Sequence, residues 1–153
     1  NEQEEANAQI FWDRATLYAL RGAMKVGEME LALSKLQAYS SKRLLGDHVP
    51  YPVEAYPENN MKHLSAESAL YCRIFMEGLL GIEPVNFNEV KITPNLPKEW
   101  DNIELQNLYL FGEPYTLSIS RESQKYQVTL KTDQQVIYSQ LVDPQVTISI
   151  SVK

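Results

Sequence analysis

The spacing of hydrophobic positions changes character near residue 84, from intervals of three and four to intervals of two. From Glu2 to about Met24, Ala6, Ile10, Leu17, Leu20 and Ala23, joined by Phe11, Trp12 and Tyr18, recur at helical spacing and predict a helix with a wide buried face. Gly22 and Gly27 bracket a predicted break. Glu28 to Leu45 then forms a second helix with Met29, Leu33, Leu36 and Leu44 inward; Lys42 and Arg43 lie in its last turn and Gly46 follows as a stop. A third helix starts at Ser65, which is placed to cap it, and carries Ala69, Leu70, Phe75, Leu79 and Leu80. Gly81 ends it and Pro84 prevents its continuation. Beyond Val85 the alternation of Val90 and Ile92, Leu117 and Ile119, Tyr126, Val128 and Leu130, and Ile148, Ile150 and Val152 predicts six or so short antiparallel strands. Their turns fall where Gly, Pro, Asp and Asn cluster. The expected class is α+β, with a helical segment over residues 1–84 and an antiparallel β-sandwich over 85–153.

Between the second and third helices runs PYPVEAYPENNMKH, from Pro50 to His63. Its three prolines each fix φ and lack an N–H, so the segment takes an irregular path and presents side chains instead of burying them. Tyr51, Glu54, Tyr56, Glu58, Asn60 and His63 supply aromatic faces, carboxylates, an amide and an imidazole, the materials of a sugar-binding rim. Glu54, between Val53 and Ala55, is the candidate general base or acid, since partial desolvation raises a carboxylate pKa toward the range such a role needs. A solvated loop glutamate has the same local sequence. Asn59 and Asn60 serve equally well as turn formers, and His63 as a buttress of the loop. Trp12 and Trp100 are candidates for sugar stacking or for core packing.

Charge and composition narrow the partners. A net charge of −6, with no basic run, argues against a nucleic-acid partner, whose affinity rests on Lys and Arg neutralising phosphates. No apolar stretch reaches the roughly 18 residues of a membrane span, and no charged-then-apolar leader opens the chain. The acidic start at Asn1 reads as a cut within something longer. A single cysteine, Cys72, excludes an internal disulfide and a cysteine-rich zinc site; amid Leu70, Tyr71, Ile74 and Phe75 it is expected as a small core hydrophobe, and it leaves the compartment open. Two histidines provide too few ligands for a metal, and no cofactor motif is present, so neither a metal nor a cofactor is expected.

The order RLLGDHVPYPVEAYPENNMKHLSAESALYCRIFMEGLLGIEP, then VKITPNLPKEW, then strands, resembles the C-terminal end of (α/α)6-toroid glycoside hydrolases, the group that includes α-L-rhamnosidase-like enzymes. The resemblance covers residues 10 to 110 best, and its more specific part is the pairing of GLLGIEP with LPKEW. It implies three helices from the end of a toroid followed by the C-terminal sandwich, Glu54 as the general-base carboxylate and His63 as a histidine lining the sugar pocket, with Tyr51, Tyr56, Glu58 and Asn60 as neighbours on the same loop. It implies a carbohydrate substrate and a periplasmic or secreted parent. The departures are large: a toroid has twelve helices, and hydrolysis needs a second carboxylate across the scissile bond. This chain alone is therefore expected to be inactive, with the rest of a parent enzyme or a second copy covering its helical face. A non-catalytic carbohydrate-binding or structural module, and part of a glycoside phosphorylase, are the alternatives.

Overall fold

The computed structural model describes residues 11–45, 51–52, 55–56 and 65–152. The chain divides into two compact units, Asn1–Gly78 and Leu79–Lys153.

In the first unit a two-residue strand, β1 (Phe11–Trp12), leads into helix α1 (Asp13–Lys25), followed by α2 (Met29–Arg43), strand β2 (Ala55–Tyr56) and α3 (Ser65–Arg73). The helical periodicity over Phe11 and Trp12 is interrupted: both are extended and pair antiparallel with β2, Phe11 opposite Tyr56 and Trp12 opposite Ala55. A contact across more than forty residues of chain overrides the local spacing there. Gly22 does not break α1, which continues through it to Lys25; the reversal falls at Gly27, where φ is +92°. α1 buries Leu17, Leu20 and Met24, and α2 buries Met29, Ala32, Leu36 and Tyr39. Leu70 and Ile74 complete this apolar interior. At Ile74 the third helix widens into a π-helical turn, Ile74–Leu79. Gly78 sits in it against α1, where a Cβ would lie 3.2 Å from Met24 Sδ. Cys72 is exposed, contrary to expectation, because the face that α3 buries is that of Glu67, Leu70 and Ile74 and Cys72 projects from another.

Gly22 is exposed, helical, and has no atom within 4 Å of where a Cβ would be. Gly22→Ala is expected to stabilise the protein by about 0.5–1 kcal/mol, by removing backbone freedom from the unfolded chain. A rise in the urea midpoint at unchanged slope checks this, and a fall would mean that the glycine meets something in solution.

The second unit contains two antiparallel sheets. One has the order β3 (Glu83–Asn86), β4 (Glu89–Ile92), β9 (Ile148–Ser151); the other runs in sequence order through β5 (Asn102–Leu110), β6 (Glu113–Glu122), β7 (Lys125–Lys131) and β8 (Val136–Val142). The alternation seen in the sequence is the burial pattern: Leu117 lies opposite Leu130 and Ile119 opposite Val128, all buried, while Val90 pairs with Ile150. The described residues are thus α+β, with three helices and antiparallel sheets. Pro84 is tolerated within β3 because that strand is an edge.

The LPKEW stretch follows the same logic of satisfied backbone groups. The Trp100 N–H donates to the Pro97 carbonyl at 3.0 Å, closing a turn. Arg121 Nη2 donates to the carbonyls of Leu96, at 3.3 Å, and Pro97, at 2.9 Å, and Tyr126 Oη lies 3.2 Å from the Leu96 N–H. The Arg121 guanidinium stands 5.2 Å from the Tyr126 ring centre, so one stacked pair holds the start of the turn, Leu96 and Pro97.

Candidate functional site

Of the residues singled out in the sequence, Tyr51 is 38% exposed, and Tyr56 has its backbone in β2 opposite Phe11. Glu54, Glu58, Asn60 and His63 lie outside the described residues. The pairing of β1 with β2 sets Trp12, itself 49% exposed, opposite Ala55, the residue that follows Glu54 in the chain. Trp100 is half-buried in the second unit.

What the sequence reading passed over is a group of buried charges beside this strand pair. Asp13, the first residue of α1, is fully buried and receives a two-pronged hydrogen bond from Arg43, the last residue of α2: Nη2 to Oδ2 at 2.9 Å and Nε to Oδ1 at 3.3 Å. Arg14 donates Nε to Glu67 Oε1 at 2.8 Å, with Nη2 2.6 Å from the same oxygen. Glu67, in the first turn of α3, is also fully buried, and its Oε2 accepts no hydrogen bond from the described residues. Each acid lies at a helix N-terminus and Arg43 at a C-terminus, so the macrodipoles favour all three charges. Tyr39 is buried next to this pair; burial, and then the negative charge of Asp13, push its phenol pKa well above the ordinary value and keep it neutral. At the next residue, Ser40 Oγ and Tyr71 Oη share a 2.8 Å hydrogen bond between α2 and α3, and the Tyr71 ring packs edge-on to Phe75.

The signal for these residues lay in the hydrophobic pattern itself. Asp13 precedes Leu17, Leu20 and Met24 by four, seven and eleven residues, which puts it on the buried stripe of α1. Arg43 follows Leu36 and Tyr39, and Glu67 precedes Leu70 and Ile74, at the same kind of helical spacing. A charge on an apolar stripe marks a paired, buried group.

Glu77, in the π-helical turn, accepts from Arg73 and, at 3.0 Å, from Arg21 of α1; the Arg73 contact holds its carboxyl below the usual range. This network is exposed or part-buried and ties α1 to the third helix. No cluster of His, Cys, Asp and Glu among the described residues has the make-up of a metal site. No helix among them is long and apolar enough to cross a membrane. A cleft of about 360 Å³ opens in the β unit between Glu113, Tyr115, Asp133 and Gln135. The Thr132 hydroxyl there is occupied by the turn amides of Gln134 and Gln135, at 3.2 and 3.1 Å.

Comparison with known proteins adds no relative: no family model, no curated protein and no solved structure matches the chain.

Proposed function

We propose that this chain is the C-terminal portion of a glycoside hydrolase of the (α/α)6-toroid, α-L-rhamnosidase-like group. In this reading it contributes one loop of the active site, with Glu54 as the general base, and a β-sandwich that buttresses the barrel. The resemblance of RLLGDHVPYPVEAYPENN through GLLGIEP and LPKEW supplies the family, and the antiparallel sheets of the second unit fit the sandwich. The observation that carries the reading is the pairing of Trp12 with Ala55. It brings a half-exposed indole to the strand next to the residue after Glu54, and an exposed phenol, Tyr51, belongs to the same segment. Aromatic faces on the same stretch of chain as a candidate carboxylate are the materials of pyranose binding and hydrolysis. The general acid comes from elsewhere in the enzyme, because both carboxylates must flank one bond. Tyr18 and Leu31, 46% and 56% exposed on the helices, are positions that the remainder of the enzyme or a second copy would cover.

In the protein at its natural length, Glu54→Gln is expected to lower kcat on the 4-nitrophenyl glycoside that the wild type cleaves by about 10²–10⁴-fold, with little change in KM. Undiminished turnover removes Glu54 from the reaction. A second reading, a non-catalytic carbohydrate-binding module, is favoured by the way the three helices bury their apolar stripes on one another. It predicts oligosaccharide binding that Trp12→Ala abolishes and no hydrolysis at any length of chain.

A further inference from the structure

The cleft in the β unit lies between two hairpin ends of the four-stranded sheet, and the strand beside it turns aromatic rings toward solvent. In β5, Leu105 lies opposite Leu117 and Leu108 opposite Tyr115, so β5 carries one residue more than β6 over that span, a bulge that includes Asn107 at φ +55°. The bulge shifts the alternation by one. Leu108 and Leu110 are therefore buried, and Tyr109 faces away, 71% exposed and directly opposite Pro114, which lines the cleft. Phe111 and Gly112 then make a two-residue turn, with φ +52° and +94°. Asn is the favoured residue at the first of these positions; a phenylalanine there holds a costly backbone conformation at the hairpin tip, where it is exposed. Strain kept at an exposed aromatic points to a use outside the turn.

The opposite wall of the cleft is the turn between β7 and β8. Thr132 holds its shape: the hydroxyl accepts from the amides of Gln134 and Gln135, and the Thr132 N–H donates to the Gln135 carbonyl at 2.8 Å. The side chains that this fixed turn presents, Asp133, Gln134 and Gln135, and Glu113 across from them, have no hydrogen-bond or ion-pair partner among the described residues. These groups decide what fits. Two carboxylates with no cation in the lining repel phosphates and organic acids. No third acid or histidine among the described residues joins them to make a metal site. Carboxylates accept from hydroxyls, amides both donate and accept, and exposed rings stack on the apolar face of a pyranose. At about 360 Å³ the cleft is at the small end of the range for ligand sites.

We propose that this cleft is a carbohydrate-binding site of the β unit, taking a neutral oligosaccharide. Tyr109 and Phe111 stack on its sugar rings, and Glu113, Asp133, Gln134 and Gln135 bind its hydroxyls. The site is independent of Glu54 and does not rest on the glycosidase reading. The test uses the natural-length protein carrying Trp12→Ala, so that the indole of the first unit contributes nothing. Isothermal titration with cellohexaose, xylohexaose and mannohexaose is expected to show binding of at least one. Tyr109→Ala and Gln135→Ala in that background weaken it by about tenfold or more. Phe111→Asn weakens it too, and because Asn suits the left-handed turn this variant keeps its urea midpoint and guards against a Tyr109→Ala protein that fails to fold. No binding of any of the three sugars overturns the proposal, as does binding that Phe111→Asn and Gln135→Ala leave at full strength. Binding through these residues in a protein that cleaves no glycoside keeps the site and removes the glycosidase reading; cleavage without such binding removes this site alone.

Discussion

Replacing Arg43 by Met is expected to lower the stability of the helical unit by about 3–5 kcal/mol, the cost of leaving a buried carboxylate without its charged partner. Asp13 is fully buried, and Arg43 itself is only 3% exposed, so water does not substitute for the lost guanidinium. The neighbouring Tyr39 phenol offers at most a neutral hydrogen bond. The size of the effect comes from a buried charge that has lost its guanidinium and not from the intrinsic strength of the pair, which sets up a second measurement. Asp13→Asn/Arg43→Met removes the charge together with its partner and is expected to recover at least half of the loss. Urea denaturation followed by helical circular dichroism reads both variants. A single-variant cost under about 1 kcal/mol would mean that the pair behaves like an exposed one, as Lys125 with Asp143 is expected to, those side chains being 52% and 63% exposed.

These residues also show how far the sequence was legible. Alternation predicted the strands because a half-buried sheet writes its two faces directly into the chain: Leu117, Ile119, Val128 and Leu130 sit where period two puts them. The helical stripes were equally plain, but their limits were not. Phe11 and Trp12 continue a helical spacing and are nonetheless extended, since their partners, Tyr56 and Ala55, lie far along the chain. The π-helical turn at Ile74–Leu79 leaves no mark on composition, because it differs from an α-helix only in which carbonyl each N–H reaches. Loop chemistry pointed to Glu54 and its neighbours, of which Glu54, Glu58, Asn60 and His63 fall outside the described residues. Of Asp13, Arg43 and Glu67, only Arg43 drew notice in the sequence, as a cation in a last helical turn; the structure puts all three at helix ends. Their positions on the apolar stripes announced burial; their pairings, across thirty residues and more, required the fold.

Gly81→Ala is expected to cost the β unit about 3 kcal/mol or more, for two reasons that a control separates. Gly81 has φ +62°, in the left-handed region, where an alanine is disfavoured by about 1–2 kcal/mol. In addition, an added Cβ would lie 2.6 Å from the Thr93 carbonyl oxygen, 2.7 Å from its Cβ and 2.8 Å from its amide nitrogen. Backbone atoms cannot swing aside, and the Thr93 N–H is itself bound to the Gly81 carbonyl at 3.2 Å, so relief would break that hydrogen bond. Gly112, at φ +94°, shares the backbone problem but has no atom within 4 Å of a new Cβ. Gly112→Ala should therefore show the conformational cost alone, about 1–2 kcal/mol, and the difference between the two variants measures the close approach. Equal losses would show that the contact with Thr93 relaxes freely. A larger loss at Gly81 would give the glycine of GLLGIEP a physical reason of its own: it stops a helix, and it also lets the chain pass against the end of β4, so that the motif's requirement comes from the β unit as much as from the helix before it.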